Sequence, residues 1–578
     1  MNNFKNRVIS FLDNLFMYKE TNKYDFFLPE NNSLEESNQR KEEMEVSEHT
    51  DYEDIFPSIN INLEYMQIKY NALVNSDIVI RKFNLIAKNN EYKAFIIYID
   101  GMVDSNMIND FILKPLMLRN KANTYIKDNQ NKSITVVKNN TGIKKVKKFN
   151  LEEYIFNSLV PQNSIKKHSK FKDAISDINS GNCILFVDTI STAFSLEVKG
   201  FKARSIGEPS NEIIVRGSQE AFVEVIRTNT SILRRLVNNE NLIIENIDVG
   251  KISKTKVAVC YLNNIASEDL VYEVKYRINN LDIDTLISSG QLEQLIQDDS
   301  TIFPQLISTE RPDKAVNYLF EGRVVVIVNG SPYVLIAPGV LVDYLSSPED
   351  LNLKHQYSNI LKLIRLLAYF FALLLPGLYI AITTYHQELI PTELLLAIAS
   401  SRETVPFPLI FEIIIMELSF ELIREAGLRV PSPIGPTIGI VGALILGEAA
   451  VSAGIVSPIL IIIVAITGIS SFAIPDFSLS FTLRLLRFIF LILGAIAGFL
   501  GIALGIFIYL CFISNLKSFG VPYTSPYIPN TNFSNTTTSF FTKPIWKREK
   551  RPSFLNPKRN YEEGKISMLW KKSKKENQ

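Results

Sequence analysis

Leu366-Leu-Ala-Tyr-Phe-Phe-Ala-Leu-Leu-Leu-Pro-Gly-Leu-Tyr-Ile-Ala-Ile-Thr-Thr-Tyr385 runs for 20 residues without a charged side chain. A bilayer core takes about 20 apolar residues per helix, so the stretch reads as a membrane span. Downstream, Val430 to Gly447, Ala449 to Pro475 and Phe488 to Leu516 are uncharged over 18, 27 and 29 residues. With the Glu-bearing stretch around Leu409 to Ile423 they make five apolar segments and mark residues 351–516 as a polytopic α-helical domain surrounded by membrane lipid. Lys354, Lys362 and Arg365 precede the first span, and Lys517 with a basic tail follows the last, so both ends are expected in the cytoplasm. That requires an even number of crossings. One segment is therefore interfacial, re-entrant or split in two. The expected odd one bears Glu412, Glu417, Glu421, Arg424 and Glu425, whose acids cost too much to face lipid.

Upstream, from about residue 61 to 350, short β-branched runs alternate with helical periods, which argues for α/β units. Two runs resemble each other: Lys93-Ala-Phe-Ile-Ile-Tyr-Ile-Asp100 and Lys256-Val-Ala-Val-Cys-Tyr-Leu-Asn263. A second pair follows in the same order. Ala174 through Gly181 leads into Cys183-Ile-Leu-Phe-Val-Asp188, and Ala315 through Gly322 leads into Val324-Val-Val-Ile-Val-Asn329. Each places Gly seven residues after Ala, at a helix-to-strand junction where a left-handed cap favours glycine. Order and spacing together imply duplication into two related α/β subdomains, 61–215 and 216–350. Residues 1–60 are acidic and poor in apolar clusters, and are expected to be disordered apart from a short amphipathic helix near Phe4 to Phe16. The tail 517–578 is basic, rich in Pro and Asn, and expected to be irregular and cytoplasmic.

Acidic residues crowd Glu30 to Asp54 and basic ones crowd Lys543 to Lys575, but the sum is 61 basic against 60 acidic side chains. Such a balance gives no support to nucleic-acid binding. Cys183, Cys260 and Cys511 stand alone, as do His49, His168, His355 and His386. No zinc site or disulfide framework follows from that spacing, and a reducing compartment is expected for the soluble part. No charged n-region with an apolar core and cleavage site opens the chain, so its N-terminus is expected to stay on the cytoplasmic side.

No nucleotide loop, metal-ligand cluster or nucleophile elbow is found, so no catalytic residue, metal or cofactor is assigned. Gly217-Ser218-Gln219-Glu220 after Ile213 to Val215 lacks the spaced glycines and lysine of a phosphate loop. It reads as a strand-to-helix junction with an N-cap Ser. Arg227, Arg234 and Arg235 on the next helix suggest a solvated or interface face. Asp100 and Asp188 stand at strand ends, where they either cap turns or belong to a ligand site. In Pro433 to Val456, at 100° per residue, Thr437, Val441, Leu444, Glu448 and Ser452 share one sector, opposite Gly435, Gly439, Gly442, Leu446 and Ala450. Two readings stand. The first face lines water, and a ring of such helices makes a cation-preferring pore; or Glu448 is buried and paired with Arg424 or Arg484. Glu417, Glu421 and Glu425 with Arg424 form a charged stripe opposite Ile414, Leu418 and Leu422, as expected of an amphipathic helix at the membrane surface or against the other spans, or of an element coupling the soluble units to the pore. Pro376-Gly377, and Pro431, Pro433 and Pro436, are kink or break points.

Leu375-Pro-Gly-Leu-Tyr-Ile-Ala381, Pro391-Thr-Glu-Leu-Leu395, Ser401-Arg402, Val405-Pro-Phe-Pro408, Met416-Glu417, Phe420-Glu421, Arg424-Glu-Ala-Gly427, Gly442-Ala-Leu-Ile445 and Arg487-Phe488 resemble the membrane domain of GerA-type A subunits. Pro161-Gln162, Glu208-Pro209, Arg216-Gly217-Ser218, Arg234-Arg235, Arg311-Pro312 and Glu321-Gly322-Arg323 extend the resemblance through the soluble region, over about residues 60–515. It implies a nutrient receptor in the inner membrane of dormant spores, with a permease-like B subunit that holds the nutrient and a lipoprotein C subunit. It further implies an A subunit that homo-oligomerises into an ion channel, with the Thr437, Glu448 and Ser452 face as pore lining. The expected function is thus a non-enzymatic, channel-type receptor subunit. The alternatives are a secondary transporter with a substrate site at broken helices, and a membrane-anchored enzyme using Asp100 or Asp188.

Overall fold

The computed structural model describes residues 26–28, 52–87, 90–117, 150–200, 209, 211–298, 301–429, 447–527, 541–544 and 550–561. Its first α/β unit runs α1 (Ile59–Lys69), β1 (Ile78–Ala87), β2 (Asn90–Ile99), β3 (Ile165–His168), α2 (Phe171–Asn179), β4 (Cys183–Val187) and β5 (Ala193–Leu196). The second runs α3 (Ile226–Val237), β6 (Leu242–Val249), β7 (Thr255–Leu262), α4 (Glu268–Asn279), α5 (Ser289–Ile296), β8 (Ile307–Thr309), α6 (Pro312–Glu321), β9 (Val324–Val328) and β10 (Val334–Ala337). Both sheets are antiparallel throughout, in the orders β1-β2-β4-β5-β3 and β6-β7-β9-β10-β8.

The duplication holds at the level of single bonds. Ala94 pairs with Val187 and Ile97 with Ile184, while Val257 pairs with Val328 and Cys260 with Val325, which is one register used twice. Gly181 (φ 88°) and Gly322 (φ 102°) take the left-handed conformation that ends the helix before the inner strand. The inner strands are apolar along their whole length because both of their faces are covered. Val325 and Ile327 face one core, whereas Val324, Val326 and Val328 face another. In the first unit Cys183, Leu185 and Val187 alternate in the same way with Ile184 and Phe186.

Helices α7 (His355–Tyr385), α8 (Thr392–Arg402), α9 (Leu409–Arg429), α10 (Pro458–Phe472) and α11 (Phe477–Asn515) follow. Both α7 and α11 are long and apolar enough to cross a membrane. The core on one side of the second sheet continues into them through Tyr369, Leu373, Leu483 and Phe490. Gly377 and Gly494 let α7 and α11 cross with backbones in contact: a Cβ at Gly377 would lie 2.7 Å from the carbonyl oxygen of Phe490, and one at Gly494 2.6 Å from that of Gly377.

The last apolar stretch is not one pass. Gly498 has φ 57° and ψ −136°, and the chain folds back there. A Cβ on Gly505 would lie 2.9 Å from the Phe490 ring, and the rings of Phe490 and Tyr509 are 6.3 Å apart. In a straight helix residues 490 and 505 would stand about 22 Å apart. Residues 477–497 and 499–515 are therefore an antiparallel pair. The apolar segment that is split is this one, whereas α9, the segment expected to be the odd one, is a continuous helix of 21 residues. Because α11 doubles back, its end returns to the second unit. There Lys517–Ser518 and Val521–Pro522 form a small hairpin, and Phe519, Phe554 and Leu555 join that unit's core. The backbone N–H of Leu28 donates to Gly520 (3.4 Å), and the ammonium of Lys517 lies 3.1 Å from the centre of the Phe27 ring.

Candidate functional site

The acidic stripe of α9 faces inward. Glu417 is fully buried and its carboxylate lies 2.9 Å from Nη2 of Arg487, itself fully buried. Glu421 bonds Arg484 at 2.9 Å and Arg487 at 3.0 Å. Arg424 donates to Ser471 Oγ at 2.6 Å and lies over the Phe472 ring at 4.2 Å. At the other end of the helix, Glu412 is also fully buried, accepts from the backbone N–H of Ser457 at 3.2 Å and lies 3.5 Å from Arg402. Leu418 and Leu422, the apolar face, are the exposed ones, and so is Glu425. A helix resting on a water-facing surface would show the opposite arrangement. This helix suits apolar surroundings, with its ions turned towards partners on α8, α10 and α11, and it is not a surface helix. Arg487 was the missing partner. Its signals were its place one turn after Arg484 beside an apolar run and the Arg487-Phe488 pair of the resemblance, neither of which names an acid some 66 residues away.

Glu448 and Ser452 are exposed, near the end of a helical piece that stops before Gly454 (φ 65°), whereas Ala450 and Val451 pack inward. Arg424 and Arg484 both pair with Glu421, and among the described residues neither bonds Glu448. The reading of Glu448 as a buried partner of either arginine is thereby replaced. Thr437, Val441 and Leu444 lie outside the described residues. Among the described residues no cluster of three or more His, Cys, Asp or Glu could hold a metal.

In the soluble part, Asp188 and its counterpart Asn329 do the same work. Each Oδ1 accepts, at 3.3 Å, the backbone N–H of the residue that opens α1 (Ile59) or α3 (Ile226). Asp100 pairs with Arg227 across the two units. Arg234 is buried between them and grips Asp77 through two bonds of 2.7 and 2.8 Å, with a third to Asn75 Oδ1 at 2.9 Å. Arg235 pairs with Glu220. Arg227 and Arg234 of α3 thus form an interface face, whereas Arg235 bonds within its own unit. Residues 213–220 are neither strand nor helix, and α3 begins later, with Val225 as its N-cap, so the expected strand-to-helix junction at Ser218 is not formed. Instead the fully buried Arg311 holds this loop, donating to the carbonyls of Glu212 (3.1 Å) and Ser218 (2.7 Å).

Where the second unit meets α11, half-buried Glu293 on α5 lies near Asp476, the α11 N-cap. Burial, and then the Asp476 carboxylate, push the Glu293 carboxyl up to about 7.

The sequence matches the model of the Bacillus/Clostridium GerA spore germination protein over residues 64–554. The chain belongs to the GerA family. Spore germination protein KA of Bacillus subtilis is 38% identical over 512 residues, which cover 88% of this chain and 89% of that one. Spore germination protein A1 of the same organism is 39% identical over 382 residues, 66% of this chain and 79% of that one. An uncharacterized membrane protein, YfkQ, is 37% identical over 86% of this chain and 91% of its own. The crystal structure of the N-terminal domain of the A subunit of the Bacillus megaterium spore germinant receptor GerK3 aligns at 31% identity and TM-score 0.37, over 50% of this chain and 97% of that one. This GerA-family member thus joins two soluble α/β units to a helical domain built for an apolar environment.

Proposed function

We propose that the protein is the A subunit of a spore germinant receptor that answers nutrients by letting cations pass through an assembly of its helical domains. The subunit sits in the spore inner membrane with its α/β units on the core side, next to a permease-like B subunit and a lipoprotein C subunit. It needs no cofactor and carries out no covalent chemistry. The germination role is supported by the spore germination proteins among its relatives. The observation that carries the channel reading is Glu448, an exposed carboxylate set between two long uncharged runs, 430–447 and 449–475, whereas Glu412 and Glu417 are sealed against arginines. Facing lipid it would cost several kcal/mol, so water shared with further copies is the environment that suits it.

The test is the purified full chain reconstituted in planar bilayers. Unitary cation currents are expected, with Glu448→Gln lowering cation-over-anion selectivity while the yield of folded protein is unchanged. Saturable, coupled flux without unitary currents would instead identify a secondary transporter. Unchanged selectivity with a large loss of folded protein would show Glu448 to be a structural acid.

A further inference from the structure

The loop from Asn211 to Ser218 is held with unusual firmness for a segment without secondary structure. Glu310 Oε1 accepts the backbone N–H groups of Asn211 (2.6 Å) and Glu212 (2.8 Å). The Glu212 carboxylate takes Lys314 Nζ at 2.7 Å, and Arg311 binds two of the loop's carbonyls. Yet the side chains it presents are Ile213 and Val215, 76% and 92% exposed, followed by exposed Arg216, while Ile214 between them is buried. Fixing two β-branched apolar residues outward on a rigid loop costs free energy unless something apolar covers them.

The location of the loop says what covers them. The charges of Glu212 and Lys314 act on Asp476, in the tight turn between α10 and α11. Phe472 and Phe477 flank that turn, 65% and 64% exposed. Gly217 lies against Asn352, just before α7 begins; a Cβ there would come 2.7 Å from Asn352 Nδ2. The loop is therefore level with the ends of the helices that are apolar enough to cross a membrane, the end at which Phe472 and Phe477 are exposed.

We infer that Ile213, Val215 and Arg216 form an interfacial anchor that seats the second α/β unit on the lipid bilayer. The two apolar side chains enter the acyl boundary, and the guanidinium of Arg216 stays among the headgroup phosphates. This rests on the reading that the helical domain is in a membrane, and the test separates the two.

Single cysteines are placed in a Cys511→Ser background, since Cys183 and Cys260 are buried and Cys511 is exposed. The full chain, labelled with an environment-sensitive fluorophore, is reconstituted into phosphatidylcholine–phosphatidylglycerol vesicles containing lipids brominated at shallow acyl positions. Three sites are compared: Val215→Cys; Leu500→Cys on exposed α11; and Leu73→Cys, which lies by the β6 edge, about 19 Å across the sheet from the β8 strand that neighbours the loop. Quenching of at least about half the fluorescence at 215 and 500, with little at 73, is expected. Quenching at 500 without quenching at 215 overturns the anchor and leaves the membrane domain standing. A 215 label that is shielded from water yet unquenched by lipid also overturns it, in favour of a contact with a second copy. Absence of quenching at both sites overturns both readings.

Discussion

The two α/β units share a register, a glycine cap and an anchoring side chain, but they use one equivalent position in opposite ways. Lys170 and Arg311 each stand four residues before the buried alanine of the following helix, Ala174 or Ala315. In the first unit Lys170 reaches outward to an exposed pair with Glu53. In the second, Arg311 is fully buried and holds the loop that borders the helical domain. A duplicated scaffold has kept its frame and changed its attachments. One copy closes on itself, and the other has become a mount for the helices and for the tail.

The comparison breaks most sharply where the copies touch. Arg234→Ala leaves Asp77 buried without its cation, and is expected to cost about 3–5 kcal/mol, read from urea unfolding of the full chain in mild detergent. A change under about 1 kcal/mol would mean that the units are held together by something else. Next comes the equivalent pair. Arg311→Ala is expected to cost about 2–4 kcal/mol and to open the 211–218 loop to protease, because it removes the bonds to two loop carbonyls and to Asp313, whereas Lys170→Ala should leave the unfolding midpoint where it is. Equal effects at the two positions would erase the distinction drawn here. The smallest effect is a pH dependence confined to the second unit. The folded Glu293 carboxyl titrates at about 7, above the usual 4.5, so its contribution is full below pH 4.5 and is lost as pH rises through 7. The second unit should therefore be about 2–3 kcal/mol more stable at pH 5 than at pH 8 from this group, and Glu293→Gln should flatten that slope.

Much of this frame was legible because the repeats are written as local patterns. The Lys93 and Lys256 runs and the Ala-to-Gly spacing name the two inner strands and their caps without any knowledge of contacts. The arginines of α3 could be placed on a face but not given partners, because Asp77 lies 157 residues away. The direction of α9 was illegible for a different reason. An amphipathic period fixes which residues share a side, but whether that side seeks water or avoids lipid depends on what surrounds the helix, and the acids of α9 meet arginines from a different helix. The bend at Gly498 was hidden among neighbours, since Gly494, Gly498, Gly501 and Gly505 all punctuate the same run and only the contacts reveal which one turns. Of the candidate pore positions, only Glu448 and Ser452 fall within the described residues.

The hairpin of α11 also alters how the molecule bears load. Residues 26–28 are fastened to the turn at Gly520, so two stretches of chain far apart in sequence meet on the core of the second unit. A pull on the returning leg of α11 therefore lands on the packed core of the second unit, through Phe519 and Val521, rather than on a loose end.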